Sequence, residues 1–138
     1  MTVVILLACT LPEGCGDART IWSASSESPD GRWTAVAHTV QYTGPGADSV
    51  ETIVEIKELK QNILIRHSER VLGFLNDGAS IGLKMNWTSP SRLEVEFTDD
   101  PKARTRNSEP LLYYEVVRTS GVEISVRDLE PQEPAGRK

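Results

Sequence analysis

The chain has 138 residues, with 15 Lys and Arg against 20 Asp and Glu, for a formal net charge of −5. That length allows one packed core and makes a single domain the default. The scattered, net-acidic charge argues against a nucleic-acid binder, which needs surplus Lys and Arg to displace phosphate counterions. The two cysteines, Cys9 and Cys15, both lie near the start, so no disulfide can staple the body. With His38 and His67 as the only histidines, no metal-ligand spacing is present and no metal or other cofactor is expected. No run reaches the roughly 18 to 20 apolar residues of a spanning helix.

The first segment, Met1-Thr-Val-Val-Ile-Leu-Leu-Ala-Cys9, is apolar and uncharged. A secretory signal has a basic start, an apolar stretch of about 7 to 15 residues and a small-residue cleavage site. Here the apolar stretch is short and the first basic residue is Arg19, so residues 1–9 read as a truncated signal. Leu6-Leu7-Ala8-Cys9 resembles the lipobox of bacterial lipoproteins, which implies lipid attachment at Cys9 and anchoring to a membrane. Gly14-Cys15-Gly16-Asp17 is the rival start, with Pro12 and Glu13 against it. Cys9 therefore ranks ahead of Cys15. An acylated cysteine with more than one chain supplies what stable anchoring requires. The opposing reading takes Thr2 to Leu7 as the first strand of a cytoplasmic domain, since Val-Val-Ile-Leu-Leu is good strand material.

Residues 10–27 are rich in Thr, Ser, Gly and Pro and read as a polar tether, with Ile21-Trp22-Ser23 as a possible short strand within it. A β domain is expected over residues 28–129. Ser28-Pro29-Asp30-Gly31 is a turn: Pro fixes its φ, Asp bonds locally to backbone, and Gly accepts positive φ. Arg32 to Thr43 alternates as a strand. Val50 to Leu59 alternates again, with Val50, Thr52, Val54 and Ile56 inward. Ile63 to His67 and Arg70 to Leu75 are short β-like pieces, with Asn76-Asp77-Gly78 as a turn. Ile81, Leu83, Met85 and Trp87 share a face, as do Leu93, Val95 and Phe97. Around Ser89-Pro90-Ser91 these two strands form a hairpin. Thr98 to Pro110 reads as a long exposed loop. Leu111 to Arg118 and Val122 to Leu129 form a second expected hairpin around Thr119-Ser120-Gly121. Residues 130–138 read as a disordered, Pro-containing tail. The expected fold is all-β, an antiparallel sandwich or curled meander of roughly seven to nine strands.

The order Ser28-Pro29-Asp30-Gly31-Arg32-Trp33, then Met85-Asn86-Trp87-Thr88-Ser89, then Leu93-Glu94-Val95-Glu96-Phe97 resembles small bacterial lipoproteins of unknown function. The resemblance covers residues 28 to 97 and transfers no catalytic residue. The opening motif is also similar to the blade turn of Tol-type β-propellers, where it recurs once per blade. It occurs once here, so the likeness is one of turn chemistry.

Few residues suggest catalysis. His38 lies between Val36 and Val40 on a strand face, which favours a structural histidine over a base. His67 lies beside Ser68-Glu69 near a turn. No Gly-x-Ser-x-Gly elbow exists. Glu94 and Glu96 point to the same side of one strand about 7 Å apart, a spacing that could suit paired acid and base. With Arg92 beside them, a solvated outer face explains them better. Asp99-Asp100-Pro101 lacks calcium-loop spacing. Trp22, Trp33 and Trp87 suit core plugs more than a stacking platform.

The sequence thus points to a non-enzymatic, lipid-anchored β domain of a bacterial cell envelope, a monomer with a binding or structural role and a possible protein partner. The alternative is a cytoplasmic β protein of the immunity or inhibitor type that caps a basic partner by electrostatic steering.

Overall fold

The computed structural model describes residues 17–44, 49–59, 67–76, 81–98 and 111–129. The expectations for residues 1–16 (with Cys9 and Cys15), the strand piece at 63–66, the turn at 77–78, the loop at 99–110 and the tail at 130–138 lie outside the described residues.

The described residues form nine strands in two sheets. The strands are β1 (Asp17–Glu27), β2 (Trp33–Thr43), β3 (Ser49–Glu58), β4 (Ser68–Asn76), β5 (Gly82–Ser89), β6 (Arg92–Thr98), β7 (Leu111–Glu115), β8 (Arg118–Thr119) and β9 (Val122–Asp128). The first sheet has the order β1-β2-β3-β4-β7 and the second β5-β6-β9-β8. The all-β class and the count of seven to nine strands agree with the expectation, which left sandwich and curled meander open; the strands divide into two sheets.

Alternation builds the core. On β2, Trp33, Ala35, Ala37 and Thr39 point inward; their register partners on β3 include Ile56, Val54 and Thr52. From the second sheet come Leu83, Trp87, Leu93, Val95, Phe97, Val122 and Ile124, which join the same cluster. Phe74 and Phe97 meet across the layers with ring centroids 5.0 Å apart. Small Ala35 and Ala37 face this sandwich between larger neighbours, so large and small side chains interdigitate. Each fully buried large aliphatic or aromatic side chain contributes about 1.5–3 kcal/mol. The exposed ion pairs contribute about 0–1 kcal/mol each. The core therefore dominates stability.

Three features differ from the sequence-based expectation. Residues 17–27, expected to belong to a tether, form β1. As an edge strand it needs only one inward face, and that face is Trp22, Ala24 and Ser26. Small and polar inward residues make it look like a linker in sequence. The second difference is one parallel pair, β6 with β9, running from Arg92↔Glu123 to Phe97↔Asp128. The third concerns the expected second hairpin. Leu111–Glu115 pairs with β4 in the first sheet, and only Arg118–Thr119 pairs with β9. Between them Val116 and Val117 cross from one sheet to the other, with Val116 N–H donating to Val71 O and Ile124 N–H to Val117 O. The tight turn at Ser120-Gly121 has φ of 49° and 83°, as a two-residue hairpin with matched twist requires.

The Ser-Pro-Asp-Gly turn closes as its residue types suggest. Gly31 has φ 68° and donates its N–H to Ser28 O at 2.9 Å. Buried Ser28 donates its hydroxyl to Asp30 Oδ1 at 2.7 Å and accepts from Trp33 N–H at 2.9 Å. Arg32 N–H also donates to Asp30 Oδ1. These two hydrogen bonds, first from Ser28 and then from Arg32, hold the Asp30 carboxyl below its ordinary value.

Candidate functional site

The outer faces of the two sheets differ in chemistry. On the second sheet the face is a lattice of charge. Register places Arg92 opposite Glu123, Glu94 opposite Ser125, and Glu96 opposite Arg127. Arg127 reaches Glu94 at 2.8 Å and Glu96 at 3.5 Å, and Arg92 reaches Glu123 at 3.1 Å. A shallow, open depression of about 380 Å³ lies here, lined by Thr88, Arg92, Glu94, Glu123 and Ser125. The two carboxylates singled out for paired acid–base work therefore share one guanidinium. That arrangement suits a solvated, charge-paired face.

The first sheet carries a different cluster, centred on Glu51. Tyr113 and Tyr42 donate their hydroxyls to the two oxygens of this carboxylate, Tyr42 at 3.2 Å. Arg70 reaches Glu51 at 3.3 Å and the Tyr113 hydroxyl at 3.1 Å. Partial burial and the hydrogen bonds to Glu51 raise both tyrosine hydroxyls above their ordinary value. Tyr113 is the extra residue of a bulge where β7 meets β4, between the pairs Gly73↔Tyr114 and Phe74↔Leu112. The bulge turns its ring over Gly73, where a Cβ would stand 2.7 Å from Tyr113 Cζ. Gly73 pairs with Ile53, which is only 4% exposed although it lies on this outer face. The glycine makes room for the tyrosine ring on the face where Ile53 lies.

His38 is half-buried on the same face, opposite Ser23 and Ile53. His67 is exposed; its Nε2 lies 3.9 Å from Glu69, and its carbonyl accepts from Glu58 N–H. Ile53 and Glu58 mark the positions of the two histidines along β3, about 17 Å apart at strand rise. The structure does not bring the histidines together. Trp33 and Trp87 are core residues, and Trp22 packs against the core. Arg32 lies 5.3 Å from the centroid of the Trp33 ring, closing the core from outside.

Sequence reading missed the Glu51 cluster because its members come from β2, β3, β4 and β7. The part carried by the β2–β3 hairpin was accessible: Tyr42 and Glu51 lie on same-side positions of paired strands. The hold of Arg127 on Glu94 and Glu96 was not accessible without the parallel pairing. Among the described residues, no group of three or more His, Cys, Asp or Glu is arranged to hold a metal ion, and no helix is long and apolar enough to cross a membrane. No family model, curated protein or solved structure matches the chain.

Proposed function

We propose that the chain is a bacterial envelope lipoprotein, akin to the small lipoproteins of unknown function it resembles, whose β-sandwich has a binding or structural role rather than an enzymatic one. The observation that carries this reading is the apolar start ending in Leu6-Leu7-Ala8-Cys9, followed closely by the first strand at Asp17. Cys9 is the proposed lipid attachment site and Cys15 its alternative. The engagement of Glu94 and Glu96 by Arg127, and of Glu51 by two tyrosines and Arg70, supports a non-catalytic role for these carboxylates. Metabolic labelling with a palmitate analogue, on the full-length protein expressed in its native host, tests the reading. Label is expected on the wild type and lost in a Cys9→Ala, Cys15→Ala double variant. An unlabelled wild-type protein that stays in the cytosol and copurifies with a basic protein would favour the immunity-type alternative.

A further inference from the structure

Seven large apolar side chains are exposed among the described residues: Ile21, Tyr42, Leu59, Leu75, Tyr113, Tyr114 and Val117, and three of them gather on one outer face. Tyr42, Leu75 and Tyr113 are each 38–44% exposed and lie on the outer face of the first sheet. They surround one carboxylate: both tyrosines bond to Glu51, and Leu75 is the register partner of Glu51. Half-buried Val40 pairs with Glu51 from the other side and extends the patch. Thr20, the residue before the β1 bulge, pairs with Val40, and Asp17 pairs with Thr43 just beyond Tyr42. The patch therefore sits at the end of the sheet where the chain enters its first strand. The opposite outer face carries Arg92, Glu94, Glu96, Glu123 and Arg127.

We infer that this patch is the face by which the domain rests on the lipid surface to which the proposed anchor ties it; the inference rests on the lipoprotein reading above. Asp17 follows Cys15 by two residues and Cys9 by eight. At full extension those spans are about 7 Å and about 28 Å. Either cysteine keeps this end of the sheet within reach of the bilayer. Tyrosine has an apolar ring and a polar tip, and is enriched at headgroup depth for that reason. Tyr42 and Tyr113 present such rings beside Leu75, with their hydroxyls already satisfied by Glu51. Arg70 balances the Glu51 charge, so the patch carries little net charge and its lipid contact is apolar rather than electrostatic. Three side chains bind a bilayer weakly on their own. An acyl tether raises their effective concentration enough to orient the body.

Site-specific photocrosslinking tests this. A benzophenone amino acid is placed singly at Tyr42, Leu75, Thr88 or Ser125 in the full chain, and each palmitate-labelled protein is reconstituted in phosphatidylcholine vesicles. Lipid adducts are expected to be several-fold more abundant at Tyr42 and Leu75 than at Thr88 and Ser125, with little change on adding salt. Equal lipid adducts at all four positions of a palmitate-labelled protein would overturn the inference and leave the lipoprotein reading standing. Adducts to a second protein chain in place of lipid at Leu75 would overturn it in the same way. A protein that takes up no palmitate would overturn both.

Discussion

The indole N–H of Trp87 on β5 donates to the backbone carbonyl of Ser26 on β1 at 3.0 Å, so the edge strand of one sheet is fastened to the edge strand of the other. Trp87 is a core residue whose one polar atom reaches the seam and bonds a carbonyl of the neighbouring sheet's edge strand. Trp87→Phe keeps most of the apolar ring but removes the donor. The expected loss is about 0.5–1.5 kcal/mol, the net contribution of one hydrogen bond. Urea unfolding would show a lower midpoint at unchanged slope; an unchanged midpoint would mean the seam does not depend on this bond.

Ser28 has a comparable position in the turn before β2, where its hydroxyl accepts from Trp33 N–H and donates to Asp30. Ser28→Ala strands the buried Trp33 N–H and releases the turn. A loss of about 1–3 kcal/mol is expected. Equilibrium denaturation of Ser28→Ala measures it directly.

These two residues illustrate what the sequence made legible. The Ser-Pro-Asp-Gly turn could be read because every contact in it is local, spanning at most from Ser28 to Trp33. The inward faces of β5 and β6 could be read because apolar and polar residues alternate strictly along them, and that of β3 because Val50, Val54 and Ile56 keep the period around Thr52. The Trp87–Ser26 seam could not be read, because it depends on which edges meet. The parallel pairing of β6 with β9, the switch of Leu111–Glu115 into the first sheet, and the Glu51 cluster share that cause. Each depends on strand order, which alternation does not encode. β1 was hidden for a different reason: its inward residues, Ala24 and Ser26 after Trp22, carry almost no hydrophobic signal.

The fit of Tyr113 over Gly73 makes a second kind of expectation. Alanine in a strand ordinarily costs less chain entropy than glycine. At position 73 its Cβ would force the Tyr113 ring aside and break its hydroxyl's bond to Glu51. Gly73→Ala should therefore destabilise in the wild-type background and become neutral or stabilising in a Tyr113→Ala background. A double-mutant cycle is expected to show coupling of about 1 kcal/mol. Additive effects would show that ring and glycine are independent.

Thr39 and Thr52 face each other inside the sandwich with their hydroxyl oxygens 2.9 Å apart. Replacing one with Val leaves a buried hydroxyl facing a methyl group. Each single substitution is expected to destabilise by about 1–2 kcal/mol. The double Val variant should recover much of that loss, because it removes both polar groups at nearly constant volume. Thermal unfolding of the three variants decides it, and a double variant worse than the sum of the singles would contradict the pairing.

Stability should fall at both ends of the pH range. The Asp30 carboxyl is held below its ordinary 3.8, so its contribution is present above that pH and lost as pH falls below it. Tyr42 and Tyr113 are raised above 10.0, so theirs is present below that pH and lost as pH rises beyond it. Urea midpoints measured across pH should show both arms. Asp30→Asn should flatten the acid arm and Tyr42→Phe with Tyr113→Phe the alkaline one; arms that keep their slopes in these variants would assign the effect elsewhere.

Mass spectrometry of the mature protein from the membrane fraction of its native host tests the proposed lipid anchor most directly. The protein is expected in that fraction with an N-terminal peptide that begins at a diacylglyceryl-modified cysteine, Cys9 or Cys15. An unmodified peptide retaining Met1 through Cys15, recovered from the soluble cytosolic fraction, would contradict it.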